Sequence, residues 1–116
     1  GGSGGALALG VGDHVAMLEY ATYSVASPEA CSSIVWRSSK NAAEAAEAMK
    51  VNAKELIKIN VIDEIINEPA GGAHRNYDAA AALVKSSLIK NINKFSSYSS
   101  RELIDRRYQR LLNIGK

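Results

Sequence analysis

The chain has 116 residues, 47% hydrophobic, 22% charged and 6% aromatic, with a formal net charge of +2. Those values fit a single ordinary globular domain and exclude a collagen-like, disulfide-framed or highly charged disordered chain. Acidic and basic residues are intermixed, without the clustered basic face of a nucleic-acid binder, and the lone Cys31 cannot close an internal disulfide, so a reducing compartment is the natural setting.

The chain starts without methionine at Gly1-Gly2-Ser3-Gly4-Gly5 and runs on unbroken into Ala6-Leu7-Ala8-Leu9. Those apolar residues predict a short buried helix, ended by Gly10 and Gly12. The glycine run therefore reads as the middle of a structural element, and the chain as a fragment whose upstream half is missing. Even with Val11, this apolar stretch is far below the roughly 18 residues that span a bilayer. His14 to Leu18 reads as a buried strand, and Tyr20 to Val25 as a second short strand. Pro28 opens a helical turn, with Ser27 as N-cap and Glu29 in the first turn.

Three later helices carry start signals of capping-box type: Asn41-x-x-Glu44, Asn52-x-x-Glu55 and Ser99-x-x-Glu102, the asparagines departing from the usual Ser/Thr. Alanine at 42, 43, 45, 46 and 48 favours the first of them. Val61 to Ile66 is a candidate strand or strand-like turn, and Glu68-Pro69-Ala70-Gly71-Gly72 is the clearest loop. Ala81, Val84, Leu88, Ile92 and Phe95 then recur every three or four residues, predicting a long amphipathic helix. Ile104, Tyr108, Leu111 and Leu112 make a shorter stripe in a last helix. The fold class is α/β or α+β. The strands are too short and few for a sheet of their own and need partners upstream or in another chain.

The glycine run admits three chemical readings. As a dinucleotide fingerprint it fails: Gly2 and Gly4 fill two positions of G-x-G-x-x-G, but the third falls on Leu7 and no acidic ribose ligand follows. No Gly-Lys-Ser/Thr follows either, which removes a phosphate-binding P-loop. As a nucleophile elbow, Gly1-x-Ser3-x-Gly5 matches G-x-S-x-G, with Ser3 as nucleophile and Asp63 and His74 following in hydrolase order, although four glycines in five residues match that pattern cheaply. As an oxyanion hole, a glycine-rich first helical turn exposes unpaired N–H groups reinforced by the helix dipole, and the Gly4 and Gly5 amides could hold an enolate or ureido oxygen. A tight turn with no ligand is the plain structural alternative. No clustered Cys or His set suggests a metal site.

The residues from Gly1 to Asp13, then Tyr23-Ser24-Val25, Ser27-Pro28-Glu29, Glu68-Pro69, Gly71-Gly72-Ala73-His74-Arg75 and Arg106-Arg107-Tyr108, together resemble the C-terminal part of the α-subunit family of multisubunit acetyl-CoA carboxylase carboxyltransferases. The likeness runs in order over essentially the whole chain. The family usually has Gly-Cys after Ser-Pro-Glu, where this chain has Ala30-Cys31. The resemblance implies a crotonase-like (ClpP/crotonase) ββα spiral, of which residues 1–116 would be the C-terminal part with a helical extension. The activity it implies moves a carboxyl group from carboxybiotin, presented by the biotin carboxyl carrier protein and not bound covalently to this chain, to acetyl-CoA, giving malonyl-CoA for fatty acid biosynthesis.

On that resemblance Gly4 and Gly5 supply the oxyanion-hole N–H groups for the biotin ureido oxygen, and Gly1, Gly2 and Ser3 line the substrate site. A glycine pair of the β subunit holds the thioester enolate, and biotin itself takes the methyl proton. The implied partners are the β subunit, in an α2β2 assembly, the carrier protein and biotin carboxylase. A zinc ribbon belongs to the β subunit, and no metal is held here. ATP binding belongs to the same implied system. Glu29 and His14 read more simply as a first-turn charge and a satisfied buried histidine, and Cys31 as a small core residue. His74 and Arg75 read as loop-fixing residues or contacts for a coenzyme A phosphate. The helices over Asn41–Lys50, Ala79–Phe95 and Arg101–Asn113 would clothe the spiral or meet partner chains, since their apolar faces would otherwise be exposed. Asn, Ile and Lys make 26 of the 116 residues, a bias that tilts the reading toward a chloroplast (plastid stroma) protein, with a bacterial cytoplasm as the alternative.

Overall fold

The structure, a computed structural model, describes residues 1–116. Helix α1 (Ser3–Gly10) leads to strand β1 (Ala16–Leu18), and α2 (Pro28–Trp36), a 3-10 turn (Ser39–Asn41), α3 (Ala42–Ala48) and α4 (Ala53–Lys58) follow. Strand β2 (Glu64–Ile66), a second 3-10 turn (Ala73–Arg75), α5 (Tyr77–Ser96) and α6 (Ser100–Leu112) complete the chain. The class is mixed helix and sheet, as the patterning predicts.

Most helix starts follow the side-chain chemistry read from the sequence. The Ser27 hydroxyl accepts from the Ala30 N–H at 3.1 Å, with Pro28 in the first turn of α2. Ser99 and Glu102 close a full capping box on α6 at 3.2 and 2.7 Å. The two asparagine boxes do not close. Asn52 caps α4 by accepting from the Glu55 N–H at 2.9 Å, but the Glu55 carboxylate turns to Lys58 at 2.8 Å. Asn41 ends a 3-10 turn that runs straight into α3, so its backbone (φ −94°, ψ 22°) is not extended as a cap requires. Its side-chain amide reaches Glu44 instead, at 3.2 Å.

Strands β1 and β2 pair in parallel, Ala16 with Glu64, Met17 with Ile65 and Leu18 with Ile66. Parallel pairing needs a long crossover, which α2, α3 and α4 provide. The second expected strand, Tyr20 to Val25, is not formed. Thr22 bridges Asn52 and Ser24 bridges Gly2, so its hydrogen bonds go alternately to two different segments and no ladder builds. The core gathers Val15, Met17, Ala53, Leu56 and Ile62 between the strand pair and α4, with Tyr23 and Ile65 packed against it.

Three expectations about apolar faces are corrected. Helix α1 exists but is not buried: only Ala6 is inside, while Leu7 is 72% and Leu9 66% exposed. Helix α5 presents Ala80 and Ser87 inward, and Leu88 and Ile92 of the predicted stripe stand in solvent. Helix α6 does likewise with Ile104, Tyr108, Leu111 and Leu112. Both helices dock largely through polar contacts, although Val84 and Phe95 of the predicted α5 stripe are half-buried and Phe95 packs on the His14 ring at 5.9 Å. Glu64 of β2 takes Asn91 and Lys90 of α5 at 2.9 and 3.0 Å, whereas Asp13 and Asp63 take Arg107 and Arg110 of α6 at 2.8 and 2.6 Å.

Candidate active site

The glycine run enters α1 through a bend at Ser3, whose φ of 52° lies in the left-handed region that costs a side-chain-bearing residue about 1–2 kcal/mol. Extended backbone at Gly2, which bridges Ser24, meets the helix axis there. The Ser3 N–H is held by the Val25 and Ser24 carbonyls at 3.0 and 3.2 Å, the Gly1 carbonyl accepts from Ser24 N–H at 3.1 Å, and the Gly1 nitrogen donates to the Thr22 carbonyl at 2.7 Å. The Ala6 N–H returns to the Gly2 carbonyl at 3.1 Å. Between these bonded groups sit Gly4 and Gly5. Their amides bond to nothing in the chain, both residues are exposed, and a β-carbon on either would meet no atom within 4 Å.

The glycines of this segment therefore separate into two kinds. A β-carbon at Gly2 would stand 3.1 Å from the Ser24 carbonyl oxygen, and one at Gly10 would stand 2.8 Å from the Tyr23 hydroxyl, so internal packing accounts for both. No neighbour inside the chain requires glycine at 4 and 5. What remains are two adjacent donors at the positive end of a helix dipole, open to an incoming oxygen.

Helix α1 buries little apolar surface and is held by polar contacts. The Tyr23 hydroxyl donates to the Ala6 carbonyl midway along it. At its C-terminal end the Arg110 guanidinium donates to the Gly10 carbonyl at 2.9 Å, to the Val61 carbonyl at 3.1 Å and to Asp63 at 2.6 Å. The Arg110 side chain is 9% exposed. Arg107, one turn earlier, pairs with Asp13 at 2.8 Å, and the Asp13 carboxylate raises the guanidinium above its ordinary range. Sequence reasoning singles out neither Tyr23 nor Arg110 for this role. The available signal is spacing: Arg107 and Arg110 stand three apart, off the Ile104–Tyr108–Leu111 stripe, and so define a second, polar face.

The hydrolase triad is not assembled. Asp63 is engaged by Arg110 and by the Val15 N–H at 2.8 Å, while His74 lies in the 3-10 turn with its ring against Gly72 and no hydrogen bond. A groove of about 510 Å³ beside Ser3 is lined by Leu7, Tyr23, Val25 and Lys50 among others, and neither histidine nor carboxylate reaches it. The Gly71–Gly72 turn is braced by Glu68, which accepts from Ala73 and Tyr20 N–H groups at 2.8 and 2.6 Å, and by the Arg75 N–H, which donates to the Gly72 carbonyl at 3.1 Å, while the His74 and Arg75 side chains pack on the two glycines without hydrogen bonds. Glu29 occupies the first turn of α2, and Cys31 is half-exposed rather than a core residue.

His14 has the hydrogen-bond partner expected, with Nε2 2.8 Å from Glu64, but it is half-buried rather than buried and precedes β1. Burial opposes charge on Glu64, but hydrogen bonds from His14, Asn91 and Lys90 outweigh it and lower the carboxyl to about 2.

Residues 1–115 match the family model described as acetyl co-enzyme A carboxylase carboxyltransferase-like. Among curated relatives, the acetyl-coenzyme A carboxylase carboxyl transferase subunit alpha of Aliivibrio salmonicida is 56% identical over 115 residues, and that of Vibrio vulnificus 55%. The protein of the same name from Photobacterium profundum is 54% identical. Each match covers 99% of this chain and 36% of the relative, so the chain spans about a third of the length of these relatives. These organisms are bacteria, and neither the chloroplast location nor ATP binding gains support from them. No helix is long and apolar enough to cross a membrane. With its glycine mouth, its Gly-Gly-Ala-His-Arg turn and its Arg-Arg-Tyr helix all inside the matched residues, the chain belongs to the acetyl-CoA carboxylase carboxyltransferase family.

Proposed function

We propose that this chain contributes one oxyanion hole to a carboxyltransferase that carries a carboxyl group to acetyl-CoA and so forms malonyl-CoA for fatty acid biosynthesis. The observation that carries the reading is the pair of unbonded, unobstructed amides at Gly4 and Gly5. Carboxybiotin on a carrier protein supplies the carboxyl group when bound. The Gly4 and Gly5 N–H groups hold the ureido oxygen that gains negative charge as the carboxyl group departs. Such donors act in the transition state without reorganising, because the helix has already fixed them. Glycine at both positions lets an oxygen approach the backbone that a side chain would shield.

Ser3, Gly1 and Gly2 serve the substrate site indirectly, by fixing the bend that aims α1. The reading places residues 1–116 in the C-terminal part of a crotonase-like spiral domain. It assigns the second oxyanion hole to a β subunit in an α2β2 assembly, working with the biotin carboxyl carrier protein and biotin carboxylase in a bacterial cytoplasm. In the complete carboxyltransferase, Gly4→Val or Gly5→Val should lower malonyl-CoA formation by roughly 10²–10³-fold while assembly is preserved. Normal turnover by an assembled Gly5→Val enzyme would remove the oxyanion assignment. Unchanged carboxyl transfer in Ser3→Ala is expected, since the amides and not the hydroxyl do the chemistry.

A further inference from the structure

We infer that Arg110 is a positioning residue for the Gly4 and Gly5 amides, acting through α1 from its opposite end; the inference rests on the oxyanion reading above. Three observations carry it. First, α1 lacks an apolar seat in this chain, with Ala6 its one buried residue. Within residues 1–116 the helix is held by the hydrogen bonds at Ser3, Ala6 and Gly10. Second, the bond at Gly10 comes from a side chain 100 positions away that is itself immobilised: Arg110 is nearly buried and its fork is divided among Gly10, Val61 and Asp63. Planar guanidinium geometry fixes the direction of each of those bonds. Third, the last helical carbonyls have no partner within the helix, so the Gly10 carbonyl is free to be held in this way and a cation there suits the dipole.

The lever is short. From Gly10 to the glycine amides is about 9 Å along the axis. With Ser3 as pivot, loss of the distal tether lets α1 tilt, which turns the Gly4 and Gly5 N–H directions more than it displaces them, and donors turned off line hold a developing charge less strongly. Arg107 supplies the internal control. It lies one turn away on α6 and pairs with Asp13 outside α1, so its removal weakens α6 docking without releasing α1.

The test uses the complete carboxyltransferase with Arg110→Met, Arg110→Lys, Arg107→Met and Gly5→Ala, measuring kcat and KM for acetyl-CoA. Arg110→Met should lower kcat roughly tenfold or more with KM within about threefold of wild type, and Arg107→Met should keep both within about threefold. Combining Arg110→Met with Gly5→Ala should add less than about twofold to the loss caused by Gly5→Ala alone, because both changes damage one device. Should Arg110→Met fail to assemble, Arg110→Lys carries the test, since it keeps a cation opposite Asp63 and loses the fork: lowered kcat at constant KM supports the inference, and unchanged kcat overturns it. Full turnover in Arg110→Met, an equal loss in Arg107→Met, or losses that multiply with Gly5→Ala also overturn it. Full activity in Gly5→Ala and Gly5→Val would instead remove the underlying oxyanion reading, a separable result.

Discussion

Glycine inside a helix costs about 1 kcal/mol relative to alanine, so unforced glycines at positions 4 and 5 are a structural loss in search of a reason. If the reason is an incoming oxygen, Gly4→Ala and Gly5→Ala should each stabilise the protein by about 0.5–1 kcal/mol in denaturant unfolding while slowing carboxyl transfer. A packing glycine behaves oppositely. Gly10→Ala should destabilise by about 1–2 kcal/mol, because the Tyr23 hydroxyl must move and give up the Ala6 carbonyl. In a Tyr23→Phe background the same change should be close to neutral, a non-additivity that thermal denaturation of the four proteins would reveal. Glu64 is the acid-sensitive point of the α5 contact. Its carboxyl is lowered from 4.5 to about 2, so the stability it contributes is present above pH 4.5 and lost as pH falls toward 2. Glu64→Gln should flatten that part of the stability profile, worth on the order of 3 kcal/mol in the wild type.

At the scale of elements, local chemistry was legible and docking was not. Ser27 and Ser99 mark the starts of α2 and α6 correctly because a cap depends on three or four neighbouring residues alone. Ser99→Ala should therefore cost about 1 kcal/mol, read by urea denaturation. Asn41 misleads because a preceding 3-10 turn has already set its backbone, which no cap motif encodes. The stripes on α5 and α6 are real, yet the faces turned inward are Ala80, Ser87 and Asn91 on one helix and Arg107 and Arg110 on the other. Hydrophobic periodicity says which face avoids water, not which neighbour covers it. The amides at Gly4 and Gly5 were legible because a glycine-rich first turn leaves donors free whatever surrounds it. Arg110 was not, since its three acceptors come from segments that only the fold brings together.

For the molecule as a whole, 11 of 116 residues are buried, too few to rank the chain with self-sufficient domains of its length. Its accessible surface is 7905 Å², against about 6,100 Å² for a compact monomer of this mass. The radius of gyration, 16.3 Å, likewise exceeds the roughly 13 Å of a compact chain this long. Leu7, Leu9, Leu88, Ile92, Ile104 and Tyr108 account for part of the excess, and soluble proteins seldom leave so much apolar surface open. The 116 residues in isolation should therefore bind the dye ANS and melt over a broad range, and both properties should be absent from the complete carboxyltransferase.

The bond between Arg110 and Gly10 also has a temporal side. A ribosome adding about 5–20 residues each second needs some 5–20 s to travel from one to the other, so the mouth of α1 emerges well before its anchor exists. Joining ends so far apart carries an entropic cost that grows with the logarithm of the intervening length, and this contact belongs with the late events of folding. A nascent or prematurely terminated polypeptide lacking α6 would then possess both glycine donors yet aim them poorly, so the orientation of the α1 mouth is acquired only once α6 has been made.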